Sequence, residues 1–172
     1  STAAILTVGN APSITAQPTD IVACNGTSAS FTATASGSNL SYQWQVSTDG
    51  GLTYANITGA TNATYVVTAD NSLNGYLYKV IITSASCATP STSNAALLTV
   101  NALPAITAQP SSATLCAGSN VTFSSSATGT GISYQWQLST NGGVSFSPIP
   151  GATNPSYTIV GATASQFGYQ YQ

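Results

Sequence analysis

Apolar and polar residues alternate along short stretches of this chain, as half-buried β-strands require. In the stretch Ser41–Ser47, Tyr42, Trp44 and Val46 fall on one face and serine and glutamine on the other. Turn residues recur about every 8 to 12 positions, and no stretch keeps a helical period. The pattern predicts an all-β antiparallel sandwich with strands at Ser13–Gln17, Ile21–Ala23, Ala29–Ala35, Ser41–Ser47, Thr53–Ile57, Thr64–Thr68, Tyr76–Ser84 and Ala95–Val100.

The chain repeats itself with a period of 92 residues. Ser41–Gln45 returns 92 residues later as Ser133–Gln137, and Ala4–Val8 matches Ala96–Val100 at the same offset. Self-similarity at this period indicates a tandem array of domains. We predict the last strand of a preceding repeat with its linker at residues 1–10, a complete domain at residues 11–103, and a second domain lacking its last strand at residues 104–172.

Each predicted domain has its own core aromatic residues. In the first domain, Phe31 lies in a row of alanines that faces the strand of Trp44, and Phe123 and Trp136 stand at the equivalent positions of the second domain. The linkers Val8–Pro12 and Val100–Pro104 are short, and their prolines favour extended backbone, so we expect a semi-rigid string of domains. The predicted core residues are Phe31, Trp44, Tyr78, Phe123, Trp136 and Tyr171.

Charge is nearly absent from this chain, which narrows its possible partners. Hydrophobic residues make up 42% of the sequence, whereas the charged side chains are Asp20, Asp49, Asp70 and Lys79. Without arginine, phosphate neutralisation is too weak for nucleic-acid binding. The sequence has no run of about 18 apolar residues, so we expect no membrane insertion.

The same composition argues against catalysis. General acid–base and nucleophilic mechanisms commonly use a histidine, a glutamate or a close pair of carboxylates, and the sequence offers none of them. We therefore predict a non-catalytic chain without a cofactor, and we expect Lys79 to point to solvent. A shared metal site is not expected, because the counterparts of the three aspartates are Ser112, Asn141 and Ala162. One calcium site at Asp20 or Asp70 is the minor alternative.

The three cysteines follow the repeat. Cys24 and Cys116 are equivalent, and Cys87 lies in a segment that the second domain lacks. We predict a disulfide between Cys24 and Cys87, with Cys116 left without its partner. Such a bridge would indicate an oxidising, extracellular compartment and would stabilise the fold by about 4 kcal/mol at most. The alternative is reduced cysteines buried in a cytosolic protein.

The order of Cys24, Trp44 and the late-strand motif Gly75–Tyr78 resembles the immunoglobulin-like (Ig-like) fold. Phe31 and Val80 look like replacements for that family's inter-sheet cysteine pair. The combined motifs Ile-Thr-x-Gln-Pro, Cys-x-Gly, Tyr-Gln-Trp-Gln and Gly-Tyr-x-Tyr further resemble the bacterial Ig-like tandem repeats of large cell-surface adhesins of Bacteroidota (Flavobacterium/Cytophaga type). The resemblance implies type IX secretion to the extracellular face of a bacterial cell.

Two features are candidates for a functional site. The hairpin Ser47–Tyr54 looks like the Asp-box turn of sialidase-type propellers, with Asn141 and Phe146 in its second copy, and a structural turn is the favoured interpretation. Tyr54, Tyr76 and Phe146 are the aromatic residues best placed to face a ligand such as a sugar ring, although packing in the core is favoured for aromatic residues generally.

The first functional hypothesis is a structural stalk in a large secreted adhesin that mediates surface attachment or gliding. Its expected partners are neighbouring Ig-like repeats of the same chain or of adjacent copies, with surface polysaccharide as a further candidate. A second hypothesis is a filament or sheath subunit, in which Ser1–Val8 completes the sandwich of a neighbouring copy. A third is a carbohydrate-binding module of a secreted enzyme.

Overall fold

The chain folds into β-strands joined by short turns, in two compact units. The structure is a computed structural model that describes residues 9–172, so the strand expected within residues 1–8 lies outside the described residues. The first unit ends at Ala102, and the second runs from Leu103 to Gln172. The described helices are two single 3-10 turns, Asn71–Leu73 and Ala164–Gln166, so the all-β prediction is confirmed.

The strands of the first unit lie close to the positions that alternation predicted. One predicted strand, Ala29–Ala35, is divided at Ala33, and one strand was not predicted at all. The strands are β1 (Ser13–Ala16), β2 (Ile21–Cys24), β3 (Ser28–Thr32), β4 (Thr34–Ser36), β5 (Leu40–Ser47), β6 (Ala55–Asn56), β7 (Thr64–Thr68), β8 (Leu77–Ser84), β9 (Cys87–Thr92) and β10 (Ala96–Asn101).

These strands form two layers around one core. The larger sheet has the order β2-β10-β8-β5-β6, with β9 also paired to β8, and the other layer contains the pairs β1–β4 and β3–β7. All pairs are antiparallel except β2 with β10. Phe31 and Trp44 are 1% and 0% exposed, and the ring of Phe31 stacks on Tyr78 with centroids 4.7 Å apart.

The unpredicted strand β9 continues the line of β10 along β8. The two are separated at Ser93, whose amide donates to the Val80 carbonyl while its hydroxyl accepts from the Val80 amide, both at 2.9 Å. The sequence of β9 is rich in serine and threonine without alternation and includes Pro90. It therefore lacked the apolar signal by which the other strands were recognised.

The strands described in the second unit pair in the same way as their counterparts in the first unit. Its pairs are β11–β13 and β12–β16, with a three-stranded sheet of order β15-β14-β17. The strands are β11 (Ala105–Ala108), β12 (Val121–Ser124), β13 (Ser126–Thr128), β14 (Gln137–Ser139), β15 (Ser147–Pro148), β16 (Ser156–Ile159) and β17 (Gln170–Tyr171).

The second unit encloses its aromatic residues less fully. Trp136 is buried, at 3% exposed, whereas Phe123 and Tyr171 are half-buried although their rings stack at 5.0 Å. Within the described residues this unit has no counterpart of β2, β9 or β10. Residues 111–120, which include the counterpart of β2, are exposed throughout. In the first unit, β2 pairs with β10.

The predicted disulfide is wrong. Cys24 pairs with Asn101, beyond the residues of β10 that face the start of β8, whereas Cys87 pairs with Ser84 at the end of β8. The eight residues of β8 alone put about 23 Å between these ends, and a bridge needs Cα atoms within about 7 Å. Cys24 and Cys116 are also exposed, so the alternative of buried thiols is wrong for them as well.

Candidate functional site

The Asp-box-like hairpin of the first unit is held by side-chain hydrogen bonds to its own backbone. The Ser47 hydroxyl donates to an Asp49 carboxylate oxygen at 2.7 Å and accepts from the Gly51 amide at 2.8 Å. The Thr53 amide donates to both carboxylate oxygens of Asp49 at 2.9 and 3.0 Å. These bonds explain why Ser47 is 1% exposed although alternation assigned it to the polar face.

The second hairpin reproduces this network with an amide in place of the carboxylate. The Ser139 hydroxyl donates to Asn141 Oδ1 at 2.8 Å and accepts from the Gly143 amide at 2.9 Å. The Ser145 amide donates to Asn141 Oδ1 at 3.0 Å, and Asn141 Nδ2 donates to the Ser145 hydroxyl at 2.8 Å. Because the side-chain oxygens of aspartate and asparagine accept the same hydrogen bonds, the hairpin is a structural turn rather than a site that needs a negative charge.

The hydrogen bonds around Asp49 also set its acidity. The Thr53 hydroxyl and amide, followed by the Ser47 hydroxyl, hold the pKa of the Asp49 carboxyl well below its ordinary value. All of these donors stabilise the ionised form. Asp49 is therefore a carboxylate throughout the physiological range and is unsuited to be a proton donor.

Lys79 covers one of the predicted ligand-facing residues. Its Nζ atom lies 3.7 Å from the centroid of the Tyr54 ring, a cation–π contact. Lys79 lies on the face of β8 opposite the buried Tyr78 and Val80, and it is half-buried against this ring. One face of the Tyr54 ring is therefore covered by the lysine.

The other predicted ligand-facing aromatic residues differ in their surroundings. Tyr76 is half-buried and packs against the core of the first unit. Phe146, at the position of Tyr54 in the second hairpin, is also half-buried, and the counterpart of Lys79 there is Gln172. The most exposed aromatic residue described is Phe167, at 94%, which the sequence did not single out because it follows a 3-10 turn outside any alternating strand.

The remaining carboxylates serve the fold of the first unit. Asp20 Oδ1 accepts from the Leu97 amide at 2.8 Å. Asp70 accepts from the Ser72 hydroxyl and amide, which lower the pKa of its carboxyl. Asp70 precedes a 3-10 turn, and the residue in that place in the second unit is Thr163 rather than Ala162, because the segment there is one residue longer.

Tyr65, Tyr78 and Tyr171 are not proton-transfer groups near neutral pH. Burial, with the nearby Tyr65 and Tyr76 adding to it, raises the pKa of Tyr78 to about 12. Burial likewise raises the pKa of Tyr65 and of Tyr171. Their phenol groups thus remain neutral, as expected for packed rings.

Neither a metal cluster nor a membrane helix is found in the described part of the chain. Residues 9–172 contain no group of three or more histidine, cysteine, aspartate or glutamate side chains that could hold a metal ion. None of the helices described there has the length and apolar character to traverse a bilayer. A groove of about 720 Å³ lies in the second unit, lined by residues 110–117, by Phe123 and by the segment around Phe167.

The chain matches known proteins at three levels. Residues 12–102 and 105–169 match a family described as a domain of unknown function (DUF8696). The chain belongs to this family. Each matched range lies within one of the two units described above.

Among curated proteins, endoglucanase C of Cellulomonas fimi is 33% identical over 155 residues, which cover 88% of this chain and 14% of that protein. The chain therefore spans about one seventh of the length of this relative.

Solved structures with the same architecture are tandem Ig domains. Sidekick-1 Ig domains 1–4 have a TM-score of 0.62 at 18% identity, covering 96% of this chain and 45% of theirs. The titin fragment I67–I69 has a TM-score of 0.61 at 14% identity, covering 95% and 60%. The two Ig domains of DIP-gamma have a TM-score of 0.56 at 13% identity, covering 93% and 88%. The predicted tandem of Ig-like sandwiches is thereby confirmed at the level of fold.

Proposed function

We propose that this chain is a non-catalytic stalk segment of a large secreted bacterial adhesin, in which tandem Ig-like repeats hold a distal binding region away from the cell. The observation that carries the proposal is that one sandwich plan occurs twice while the charged side chains, Asp20, Asp49, Asp70 and Lys79, are engaged in contacts within their own unit. Such a segment supplies length and surface rather than chemistry.

The proposed location is the extracellular bacterial surface, and the proposed partners are neighbouring Ig-like repeats. With the disulfide absent, this location rests on the resemblance to Bacteroidota adhesin repeats and on the nearly uncharged composition. A chain with so few charges has little Coulomb energy for salt to screen, so its stability should change little with ionic strength.

A second candidate is an accessory region of a carbohydrate-active enzyme, which the similarity to endoglucanase C favours. In that case the chain would contact polysaccharide through an aromatic platform. Phe146 is the better platform, because no lysine stands at the position that corresponds to Lys79. Tyr54, with one ring face covered by Lys79, is the matched control.

Polysaccharide retention separates the two candidates. A stalk is expected to pass through cellulose, xylan and chitin without retention and to release no sugar from them. Retention that Phe146→Ala abolishes and Tyr54→Ala preserves would replace the stalk with the accessory role, and hydrolysis would contradict both. A stalk should also be exchangeable, so an unrelated Ig-like tandem of equal length is expected to preserve attachment by the adhesin.

A further inference from the structure

Strand β7 forms one edge of its sheet in the first unit. Within residues 9–102, β7 pairs only with β3, in an antiparallel register without a bulge from Thr64 opposite Thr32 to Thr68 opposite Ser28. Both strands lie in the interior of the unit's sequence, so the open edge belongs to the fold of the unit itself. Its counterpart β16 has the same kind of edge, since among residues 103–172 it pairs only with β12.

The backbone bonds of this pair show which groups point away from β3. Just beyond the end of β7, the Ala69 amide donates to the Thr27 carbonyl at 2.7 Å. Alternate residues of an antiparallel strand bond to the same neighbour, so every second residue counted back from Ala69 bonds to β3. The amides and carbonyls of Thr64, Val66 and Thr68 therefore point to the open side of β7.

The open side of β7 is unprotected and accessible. Outer strands are commonly protected by lysine, by proline or by a bulge, and β7 reads Thr-Tyr-Val-Val-Thr in a regular register. Val66 is 56% exposed. A hollow of about 320 Å³ lies beside the strand, between the loop 58–62 and residues 64–66. The loop thus leaves room beside β7, and such an edge is a place for β-strand addition.

The sequence of β7 is complementary to itself. When two copies of β7 run antiparallel about a two-fold axis at Val66, Thr64 of each copy lies opposite Thr68 of the other. The outward amides and carbonyls of the two strands then meet, as in an ordinary antiparallel ladder. The two exposed Val66 side chains become a cross-strand pair of β-branched residues, which stabilises such a ladder.

Charge also fits this register. It places Asn62 opposite Asp70 of the other copy, and Asp70 Oδ1 accepts both hydrogen bonds from Ser72, so Oδ2 can accept from the Asn62 amide. The two Asp70 residues lie at opposite ends of the paired strands, about 26 Å apart, where salt screens their repulsion. We infer that two copies of this chain associate through β7, so that β3 and β7 of both copies form one continuous sheet.

The second unit offers this contact less well. Thr158 stands at the position of Val66, and its hydroxyl lies 2.8 Å from the Thr122 hydroxyl, so the centre of β16 is polar. Association through β7 is isologous and closes on a dimer, because each copy uses the same surface. The inference is independent of the stalk function, since it names this chain as its own partner.

Sedimentation of the 172-residue chain over a wide range of concentration tests the inference. The expected result is a reversible equilibrium between one chain of 17.2 kDa and a pair of chains. Val66→Lys brings two ammonium groups together at the axis, so the dimer should weaken by about tenfold or more. Thr158→Lys is the matched control at the same position of the second unit and should leave the dimer unchanged. Both side chains are exposed, so both variants should fold.

Disulfide crosslinking tests the register directly, and it detects weak association as well. In a chain whose three cysteines are changed to serine, Val66→Cys should form an interchain disulfide on mild oxidation. Residues opposite each other in a hydrogen-bonded pair have Cα atoms about 5.5 Å apart, which a disulfide spans. Thr68→Cys alone should not crosslink, because Thr64 lies opposite it. Mixing Thr68→Cys chains with Thr64→Cys chains should produce the crosslink.

Three results would overturn the inference. The first is a Val66→Cys chain that crosslinks no better than a Thr158→Cys chain in the same background. The second is a Thr68→Cys chain that crosslinks alone as well as the Val66→Cys chain. The third is equal weakening of the dimer by Val66→Lys and Thr158→Lys. A chain that stays monomeric and does not crosslink would likewise contradict self-association and would leave the edge to a strand of another protein.

Discussion

The two units share one sequence plan but differ in how completely they enclose their aromatic residues. Phe31 and Tyr78 are 1% and 2% exposed, whereas their counterparts Phe123 and Tyr171 are half-buried. Yet the stacked pairs have nearly the same separation, 4.7 Å in the first unit and 5.0 Å in the second. The pairing of the rings is therefore common to both units, while in the first unit Ala96, Leu98 and Val100 of β10 are buried in the same core as the rings.

Truncating the equivalent phenylalanines should give the largest difference between the units. Phe31→Ala is expected to destabilise the first unit by about 3–5 kcal/mol, because a fully buried ring leaves a cavity. Phe123→Ala should cost the second unit about 1–2 kcal/mol, since part of the ring already meets solvent. Hydrogen exchange measured on peptides from each unit separates the two effects. Equal losses would contradict the difference in enclosure.

A pair of equivalent glycines should separate the units by a smaller amount. Both have positive φ, +145° at Gly37 and +141° at Gly129. A Cβ at Gly129 would lie 2.9 Å from backbone atoms of Leu103 and Pro104, whereas the nearest atom at Gly37 is a flexible Leu40 methyl at 2.8 Å.

We expect Gly129→Ala to cost about 2–3 kcal/mol and Gly37→Ala about 1–2 kcal/mol by thermal unfolding. Gly26→Ala is the control, because its φ is +86° but open space surrounds it. A larger loss at Gly26 than at Gly129 would show that the close backbone approach does not matter.

Acid should distinguish the two hairpins more weakly. The pKa of Asp49 is lowered in the folded state by hydrogen bonds from Thr53 and Ser47, so its carboxylate contributes stability that is fully present above its ordinary pKa of 3.8. That contribution is lost as the pH falls below this value, whereas Asn141 in the second hairpin does not titrate. Asp49→Asn should therefore make the first unit less sensitive to pH below about 4, as followed by hydrogen exchange. An unchanged acid response would contradict this role of the carboxylate.

Removing the cation–π contact should have the smallest effect. Lys79→Gln introduces the residue found at the equivalent position, Gln172, and should cost about 0.5–1 kcal/mol through loss of the contact with Tyr54. Lys79→Arg is the matched control, because it keeps a cation over the ring. In a Tyr54→Ala background the same lysine substitution should cost almost nothing, and a full additive loss there would argue against direct coupling.

Local pattern predicted much of this fold. The alternation around Trp44 identified β5, and the alanine row around Phe31 corresponds to β3 and β4, because each strand presents one face to the core. Strand β9 was not predicted, because it pairs with β8 through the backbone and its serine- and threonine-rich sequence offers little apolar signal. The single-residue insertion that makes Thr163 the counterpart of Asp70 was hidden by the constant period.

Register across the sheet could not be predicted in the same way. The disulfide failed because Cys24 and Cys87 belong to opposite ends of β8, a relation fixed by pairing between distant segments. The contact of Lys79 with Tyr54 likewise joins β8 to the segment before β6, and no local motif records it. The roles of Asp49 and Asn141 were accessible to sequence reasoning, since a turn motif contains both partners of its hydrogen bonds.

Two prolines affect whether the outer strands of the sheets can pair with another chain. Pro90 lies in β9 and Pro148 in β15, both outer strands of their sheets, where a proline removes a backbone donor. Many proteins protect their outer strands against amyloid-like growth with lysine, a residue that occurs once in this sequence. Proline opposes pairing of these two outer strands with another chain, and it does so without adding charge.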